Sequence, residues 1–203
     1  MSLWNELDRA LVLASQSPRR RDILNAMGLR FAVVAPDVGD ESHFFCGGDH
    51  ESEIRLLART KGRCVSAIHP DKLVLAADTV VIKGTSIMGK PRDRDEAAQM
   101  LETLSGKEHT VVTAVALVCT SAGFSTERIC RTCVRFRTLA PGEIEQYLLK
   151  GDYGDKAGAY GIQGSALVFV ESIRGCYYNV VGLPVATTIN LLNDYHTCQG
   201  AAP

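Results

Sequence analysis

Three arginines follow a predicted helix start near the beginning of the chain. Ser17 suits the N-cap of a helix and Pro18 its first position, so Arg19–Arg21 fall in the first helical turn. The helix dipole is already positive there, and a bound anion would make the arrangement favourable, because backbone N–H groups and guanidinium groups would all face phosphate oxygens. The segment therefore predicts a phosphate site. The alternative is a solvated basic turn whose arginines pair with Asp22 or other carboxylates.

A single carboxylate stands at the end of a second apolar segment. Residues 73–77 form a continuous apolar run, typical of a strand buried on both faces, and Asp78 follows directly. Open α/β sheets bind ligands at the carboxyl ends of their strands, where Asp78 could hold Mg²⁺ or orient a water. A turn residue that accepts nearby N–H groups is the alternative. Asp37, Asp40 and Glu41 lie in an acidic loop and are further candidate metal ligands, or simply solvated.

Two glycine-containing segments have spacings close to those of known nucleotide-binding motifs. Residues 84–91 nearly match a P-loop, but Pro91 stands where Ser or Thr would hold Mg²⁺, and the segment is predicted as strand and turn. We reject the P-loop, and Lys90 is either a phosphate ligand or a surface lysine. Residues 155–164 carry glycines at every third position, which lets the backbone approach a ligand closely, although the spacing differs from the dinucleotide fingerprint.

The composition excludes several classes of protein. The 203 residues include 22 Lys and Arg against 23 Asp and Glu, so the broad basic surface of a nonspecific nucleic-acid binder is absent. The seven cysteines are odd in number and irregularly spaced, which favours reduced thiols and a cytoplasmic protein. Cys130 and Cys133 have an odd offset on a predicted strand, which argues against a zinc or redox pair. Residues 1–9, with Glu6 and Asp8, lack the pattern of a signal peptide, and no apolar run reaches the ~20 residues of a membrane span.

An α/β fold must position these residues, because short apolar runs alternate with amphipathic segments along the chain. This pattern predicts one domain with a largely mixed sheet. Strands are predicted at residues 10–14, 31–35, 73–77, 109–119, 126–137 and 166–172, with a bent strand or hairpin at residues 78–91. Helices are predicted from Pro18 to a C-terminal cap at Gly28 and at residues 51–68, 94–105, 141–150 and 185–195.

Six segments together resemble the Maf family of nucleotide pyrophosphatases, in the family's order and spacing. They are LASQSPRR at 13–20, ADTVV at 77–81, GKP at 89–91, LSGKEH at 104–109, DKAGAYGIQG at 155–164 and NVVGLP at 179–184. The resemblance implies an elongated twisted mixed sheet flanked by helices, in two lobes with a central cleft, as in the inosine triphosphatase group. It also implies a single Maf-like domain over residues 1–203, with its core at about 11–192, and usually a homodimer.

The resemblance further implies an activity and roles for individual residues. The activity is hydrolysis of dTTP and UTP, and of modified pyrimidine nucleotides, to the monophosphate and pyrophosphate, with Asp78 as catalytic carboxylate and Mg²⁺ or Mn²⁺ as cofactor. The phosphate-binding residues are Ser15, Arg19, Arg20, Lys61 and Lys90, and the base-specificity residues are Arg20, Thr79 and Gln163. Asp78 would hold the metal together with Asp40 or Glu41, and the sequence leaves open which of these two contributes.

Two other functions remain as alternatives. One is a non-catalytic, nucleotide-binding regulator of cell division and septum formation, and the other is a pyrophosphatase for 7-methylguanosine triphosphate. Arg19 stands where the latter subgroup has Trp, which favours the pyrimidine subgroup. The family usually has Glu-Pro before the Asp-Lys-Ala-Gly motif, whereas this chain has Asp152, Tyr153 and Gly154. No membrane or nucleic-acid partner is expected beside the nucleoside triphosphate substrate.

Overall fold

The part of the chain that the structure describes forms a seven-stranded mixed sheet. The computed structural model describes Leu7 and residues 9–200, so Glu6 and Asp8 of the N-terminal prediction lie outside the described residues. The strands are β1 (Leu11–Ala14), β2 (Phe31–Val33), β3 (Leu73–Lys83), β4 (Ser86–Met88), β5 (Glu108–Cys119), β6 (Phe124–Phe136) and β7 (Val170–Arg174). Their order is β2-β1-β3-β5-β6-β7, with β4 paired to β3. β1 pairs in parallel with β2 and β3, whereas the β3–β4 and β6–β7 pairs are antiparallel.

Within the described residues, six α-helices accompany the sheet, and this mixed α/β architecture confirms the predicted fold class. They are α1 (Pro18–Ala26), α2 (His50–Ile68), α3 (Arg94–Leu104), α4 (Pro141–Leu149), α5 (Tyr177–Val181) and α6 (Val185–Gly200). Short 3₁₀ helices lie at Glu41–Phe44, Ala157–Ala159 and Ser165–Phe169. Among the described residues, every helix is too short or too polar to cross a bilayer. All seven cysteines are free thiols.

The chain divides into two compact units. Unit 1 contains residues 1–78, 113–130 and 182–203, and unit 2 contains residues 79–112 and 131–181. β3, β5 and β6 each contribute residues to both units.

In unit 1, a glycine lets helix α2 approach the sheet closely. A Cβ atom at Gly62 would lie 3.0 Å from Val118 Cγ2 and 3.5 Å from the Ala76 side chain. Glycine in a helix interior costs up to about 1 kcal/mol relative to alanine. Here the missing side chain allows Val65 of the same helix to pack into a buried cluster with Ala76 and other small residues of β1 and β3. The close approach holds the neighbouring residue, Lys61, against the sheet.

In unit 2, aromatic rings surround a buried histidine. The ring of His109 in β5 meets those of Phe136 and Tyr160 edge-to-face, at centroid distances of 5.0 and 5.4 Å. The Tyr160 hydroxyl lies 2.8 Å from His109 Nε2. His109 Nδ1 is buried and has no hydrogen-bond partner among the described residues. The first residue of the NVVGLP motif, Asn179 of α5, is also buried and donates its amide to the Val111 carbonyl and to Thr132 Oγ1, each at 3.0 Å.

The structure differs from the predicted elements in three main places. The strand predicted at 166–172 is wrong, because Ser165–Phe169 is a 3₁₀ helix and the strand begins at Val170. Helix α5 was not predicted, because its five residues are too few to show helical periodicity. β3 does not end at Asp78 but continues to Lys83, since Val80 and Val81 are buried as well.

The buried His109 makes a testable contribution to stability. Burial, aided by the Lys83 charge and opposed by Glu108, lowers the pKa of His109 from 6.5 to about 4. The unfolded chain therefore binds more protons between these values, and stability should fall as pH drops below about 6.5. Between pH 7.5 and 5 the loss from this residue is about 2 kcal/mol. Urea unfolding at both pH values gives the free energy of unfolding of the parent and of His109→Gln. The contribution of His109 is the amount by which the parent loses more stability than the variant between pH 7.5 and 5. The exposed His43→Gln serves as control, and a His109→Gln protein with the parent's pH dependence would contradict the assignment.

Candidate active site

A buried ammonium group joins two carboxylates in unit 1. Lys61 Nζ lies 2.6 Å from Asp78 Oδ1 and 2.7 Å from Glu41 Oε1. The Lys61 side chain is 7% exposed and that of Asp78 13%, whereas that of Glu41 is 42% exposed. A buried charge is tolerated when it is paired and hydrogen-bonded, so the two carboxylates allow Lys61 to stay charged away from solvent. The group remains open to solvent on the Glu41 side.

The pairing of β1 with β3 explains the positions of Ser15 and Asp78. The parallel register runs from Leu11 opposite Leu73 to Ala14 opposite Ala76. Ser15 therefore follows directly after the last paired position of β1, and Asp78 lies two residues after the last paired position of the adjacent parallel strand β3. This is the edge at which polar side chains of an open α/β sheet face a ligand. The prediction of Asp78 at the end of a strand was wrong in detail, but Asp78 does stand where the pairing with β1 ends.

The hydroxyl of Ser15 organises the start of α1. Ser15 Oγ accepts hydrogen bonds from Arg20 Nη1 at 3.1 Å and from the backbone N–H of Ser17 at 3.2 Å. Arg20 Nε donates to the carbonyl of Gly182 at 2.9 Å. Ser17 has the extended N-cap conformation, but its own side chain makes no capping hydrogen bond. Ser15 thus positions Arg20, and the guanidinium is anchored on two sides.

Arg20 shares the electrostatic field of the Lys61 group. Burial lowers the pKa of Arg20, the charges of Asp78 and Glu41 raise it, and the neighbouring Arg19 lowers it. A guanidinium stays protonated in proteins, so Arg20 remains a cation beside the two carboxylates. Arg21 instead faces Asp22, with Nε 3.9 Å from Oδ1 and both side chains exposed. The alternative of a solvated basic turn therefore describes Arg21, and not Arg20.

The structure separates the two acidic residues of the loop before α2. Asp40 caps the 3₁₀ helix Glu41–Phe44, where its Oδ1 accepts the backbone N–H of Ser42 at 2.9 Å. This hydrogen bond lowers the pKa of Asp40. Glu41 is the residue that reaches Lys61.

A metal ion fits this site only as part of a nucleotide complex. Among the described residues, no group of three or more His, Cys, Asp and Glu side chains could hold an ion. Asp78 and Glu41, however, converge on a single cation, the Lys61 ammonium. Mg²⁺ is usually bound by one or two carboxylates together with substrate phosphate oxygens and waters. Two carboxylates are therefore sufficient for an ion that also binds phosphate.

Three of the predicted site residues belong to unit 2. Thr79 follows Asp78 in β3 and is partly buried, whereas Lys90 and Gln163 are exposed. The backbone N–H of Gly158 donates to the carbonyl of Gly89 at 3.0 Å, which fixes the glycine-rich segment against the residue that precedes Lys90.

Sequence reasoning missed two features of the site. One is the carbonyl of Gly182 as a partner of Arg20, because a backbone acceptor leaves no side-chain signal beyond the NVVGLP motif that contains it. The other is an ion pair between Asp152 and Lys156 in unit 2. Their spacing of four residues could have suggested it, had the segment been predicted as helical.

Comparison with known proteins agrees with the resemblance of the motifs. The family model described as Maf-like protein matches residues 10–195. The dTTP/UTP pyrophosphatase of Myxococcus xanthus is 46% identical over 183 residues, which cover 90% of this chain and 90% of the relative. The dTTP/UTP pyrophosphatase of Syntrophomonas wolfei is 44% identical over 180 residues, 89% of this chain and 94% of the relative. That of Desulforamulus reducens is 41% identical over 189 residues, 92% of this chain and 97% of the relative. The family model and these relatives, each covering most of the chain, show that the chain belongs to the Maf family.

Proposed function

We propose that this protein is a cytoplasmic nucleoside triphosphate pyrophosphatase that converts dTTP and UTP to the monophosphate and pyrophosphate. The observation that carries the proposal is the Lys61 ammonium held between Asp78 and Glu41. It brings a cation for phosphate and a carboxylate for water activation to one point, as hydrolysis of a phosphoanhydride requires. The names of the relatives supply the substrates, because three of them with 41–46% identity are dTTP/UTP pyrophosphatases.

Binding of the triphosphate rests on the cations of unit 1. Arg20 and Lys61 are both held by hydrogen bonds before substrate arrives, so little conformational entropy is lost when they bind phosphate. Arg19 and the first backbone N–H groups of α1 add positive potential. We assign a further phosphate contact to Lys90, which is exposed and has no hydrogen bond or ion pair within the described part of the chain.

Hydrolysis rests on Asp78. Its carboxylate orients a water and accepts its proton while the water oxygen attacks the α-phosphorus and the bond to the bridging oxygen breaks. Pyrophosphate leaves with that oxygen, and the nucleoside monophosphate keeps the oxygen of the water. Lys61 fixes the carboxylate through its 2.6 Å hydrogen bond to Oδ1, so the other oxygen is available to the water.

A divalent cation, Mg²⁺ or Mn²⁺, would neutralise phosphate charge and polarise the bond that breaks. We assign its protein ligands to Asp78 and Glu41. Asp40 is excluded from this assignment because its carboxylate accepts the backbone N–H of Ser42.

Base selection rests on Gln163, with Thr79 and Arg20 as the other proposed contributors. The Gln163 side chain is exposed and makes no hydrogen bond within the described residues. Its amide can both donate and accept, which matches the O4/N3 edge of uracil and thymine. Cytosine reverses the donor and acceptor on that edge, and purines are larger.

The role of Asp78 predicts the effect of Asp78→Asn. The amide keeps the shape of the side chain and can still bind Lys61 through its oxygen, but it cannot accept the proton of water. Turnover should fall by about two orders of magnitude or more, with folding and nucleotide binding largely intact. Pyrophosphate release, calorimetric nucleotide binding and thermal unfolding measure these three quantities. Asp71→Asn makes the same change at an exposed position and should behave like the parent. Turnover of Asp78→Asn within a few-fold of the parent would remove Asp78 from the mechanism.

The metal assignment predicts different results at two neighbouring carboxylates. Glu41→Gln should weaken Mn²⁺ binding in the presence of a nonhydrolysable dTTP analogue by about tenfold or more, as expected for loss of a ligand. Asp40→Asn should change it little, because Asp40 faces Ser42 and His43 instead. Titration of Mn²⁺ followed by electron paramagnetic resonance measures both. Equal losses in the two variants, or a larger loss in Asp40→Asn, would reverse the assignment.

The proposed base selection predicts a preference for two nucleotides. The parent should use dTTP and UTP with kcat/KM at least about tenfold above CTP, ATP and GTP, equivalent to roughly 1.4 kcal/mol. Gln163→Ala should reduce this ratio more than it reduces pyrophosphate release overall. Gln99→Ala, at an exposed position in α3, is the matched control. A ratio unchanged in Gln163→Ala, or a parent that prefers GTP or 7-methylguanosine triphosphate, would show that the assignment is wrong.

A further inference from the structure

A second buried lysine lies in the segment that carries Gln163. We call residues 152–164 the Gln163 loop. Lys156 Nζ lies 2.6 Å from Asp152 Oδ1 and 2.7 Å from Asp155 Oδ1. The Lys156 side chain is 9% exposed, that of Asp152 39% and that of Asp155 55%. Because a buried ammonium is costly without a partner, the conformation of this loop is tied to its two carboxylates, and most strongly to the less exposed Asp152.

The Asp152–Lys156 pair contacts the backbone on both sides of Gln163. A Cβ atom at Gly161 would lie 2.5 Å from Lys156 Cε, and one at Gly164 would lie 2.2 Å from Asp152 Oδ2. The N–H of Gly164 donates to the carbonyl of Gly161 at 3.0 Å, which closes the turn that presents residues 162 and 163. The turn therefore packs directly on the ion pair, and neither glycine can carry a side chain without moving it.

The same loop holds an unfavourable backbone conformation. Ala159 has a φ of 62°, in the left-handed region that costs a residue with a Cβ atom about 1–2 kcal/mol. The Tyr147 hydroxyl lies 2.8 Å from the Asp152 carbonyl and 3.1 Å from the Ala159 carbonyl, and Ala159 is fully buried. Such conformations persist where the surroundings over-determine them, and they cluster at functional sites. The loop is thus held at Asp152 and at Ala159, while the Gln163 side chain makes no hydrogen bond or ion pair within the described residues.

We propose that Asp152 and Lys156 are positioning residues for base selection, because their ion pair fixes the turn on which Gln163 stands. The proposal rests on the proposed function, in which Gln163 binds the O4/N3 edge of the pyrimidine. Asp155 binds the same ammonium, but its atoms are not among the three nearest to a Cβ built at Gly161 or Gly164, and its side chain is more exposed.

The test compares two matched substitutions. Asp152→Asn removes the charge that lies against both Lys156 and Gly164, and Asp155→Asn removes the other carboxylate charge on Lys156. We expect Asp152→Asn to reduce the kcat/KM ratio of dTTP and UTP over CTP, ATP and GTP by about fivefold or more, a modest loss for a displaced binding group. Asp155→Asn should keep the ratio within about twofold. The kcat for the poorly used nucleotides should stay near the parent value in both variants, and thermal unfolding confirms that they are folded.

A double-mutant cycle separates positioning from general destabilisation. In a Gln163→Ala background, Asp152→Asn should change the ratio by less than about twofold, because its effect acts through the side chain that is already missing. Independent, multiplicative effects of the two substitutions would overturn the proposal. So would a parent-like ratio in Asp152→Asn.

Gly164→Ala provides a second disturbance of the same contact if Asp152→Asn does not fold. Gly164 has φ −98° and ψ −155°, an extended conformation that alanine adopts freely, so the added Cβ atom acts only on the Asp152 carboxylate. It should lower the same ratio, and a parent-like ratio would overturn the proposal.

Failure of the proposed function is recognised on the parent protein alone. Absent pyrophosphate release or absent pyrimidine preference in the parent would overturn both the proposed function and this inference. A selective parent whose selectivity depends on Gln163 but not on Asp152 or Gly164 overturns only this inference.

Discussion

The burial of Lys61 is the constraint on which the architecture of unit 1 depends. An ammonium with 7% of its side chain exposed needs carboxylates from elsewhere in the fold, and Asp78 and Glu41 supply them from β3 and from the loop before α2. That requirement ties a strand, a helix and a loop together at one point. It also explains the small residues nearby, because α2 can bring Lys61 to β3 only where Gly62 allows it to approach Ala76 and Val118.

A related arrangement recurs in unit 2, with a different consequence. Lys156 is also buried and also has two carboxylate partners, but all three residues lie within one loop, over five positions. In unit 1 the lysine joins distant segments, and the charges of its two carboxylates also act on the arginine that we assign to phosphate. In unit 2 the lysine shapes a local turn, and Gln163, which we assign to base selection, stands on that turn and makes no hydrogen bond within the described residues. The two lysines thus have the same chemistry, and the sequence separation of their partners decides what each one organises.

Hydrogen bonds to backbone atoms complete both arrangements. Arg20 is oriented by the Gly182 carbonyl, and the Gln163 loop is held by Tyr147 at the carbonyls of Asp152 and Ala159. Such contacts impose no side-chain type on the residue that accepts, so they are invisible in a single sequence. They nevertheless restrict the angle at which a cation or an amide can meet a ligand, which is what discrimination between similar ligands requires.

Much of this protein could be predicted from its sequence, and the failures have a common physical reason. Local patterns determined the mixed α/β class, the starts of α1, α3 and α4, and the candidacy of Asp78, because apolar runs, N-caps and prolines act over a few residues. The same patterns misplaced the last strand and missed α5, where the segments are too short to show a period. Asp40 and Glu41 are indistinguishable by local pattern, and only the folded loop turns one toward Ser42 and the other toward Lys61. Tertiary structure decided between Asp40 and Glu41, because their roles depend on which carboxylate comes within hydrogen-bonding distance of Lys61, a residue about twenty positions away. The sequence alone does not contain that distance.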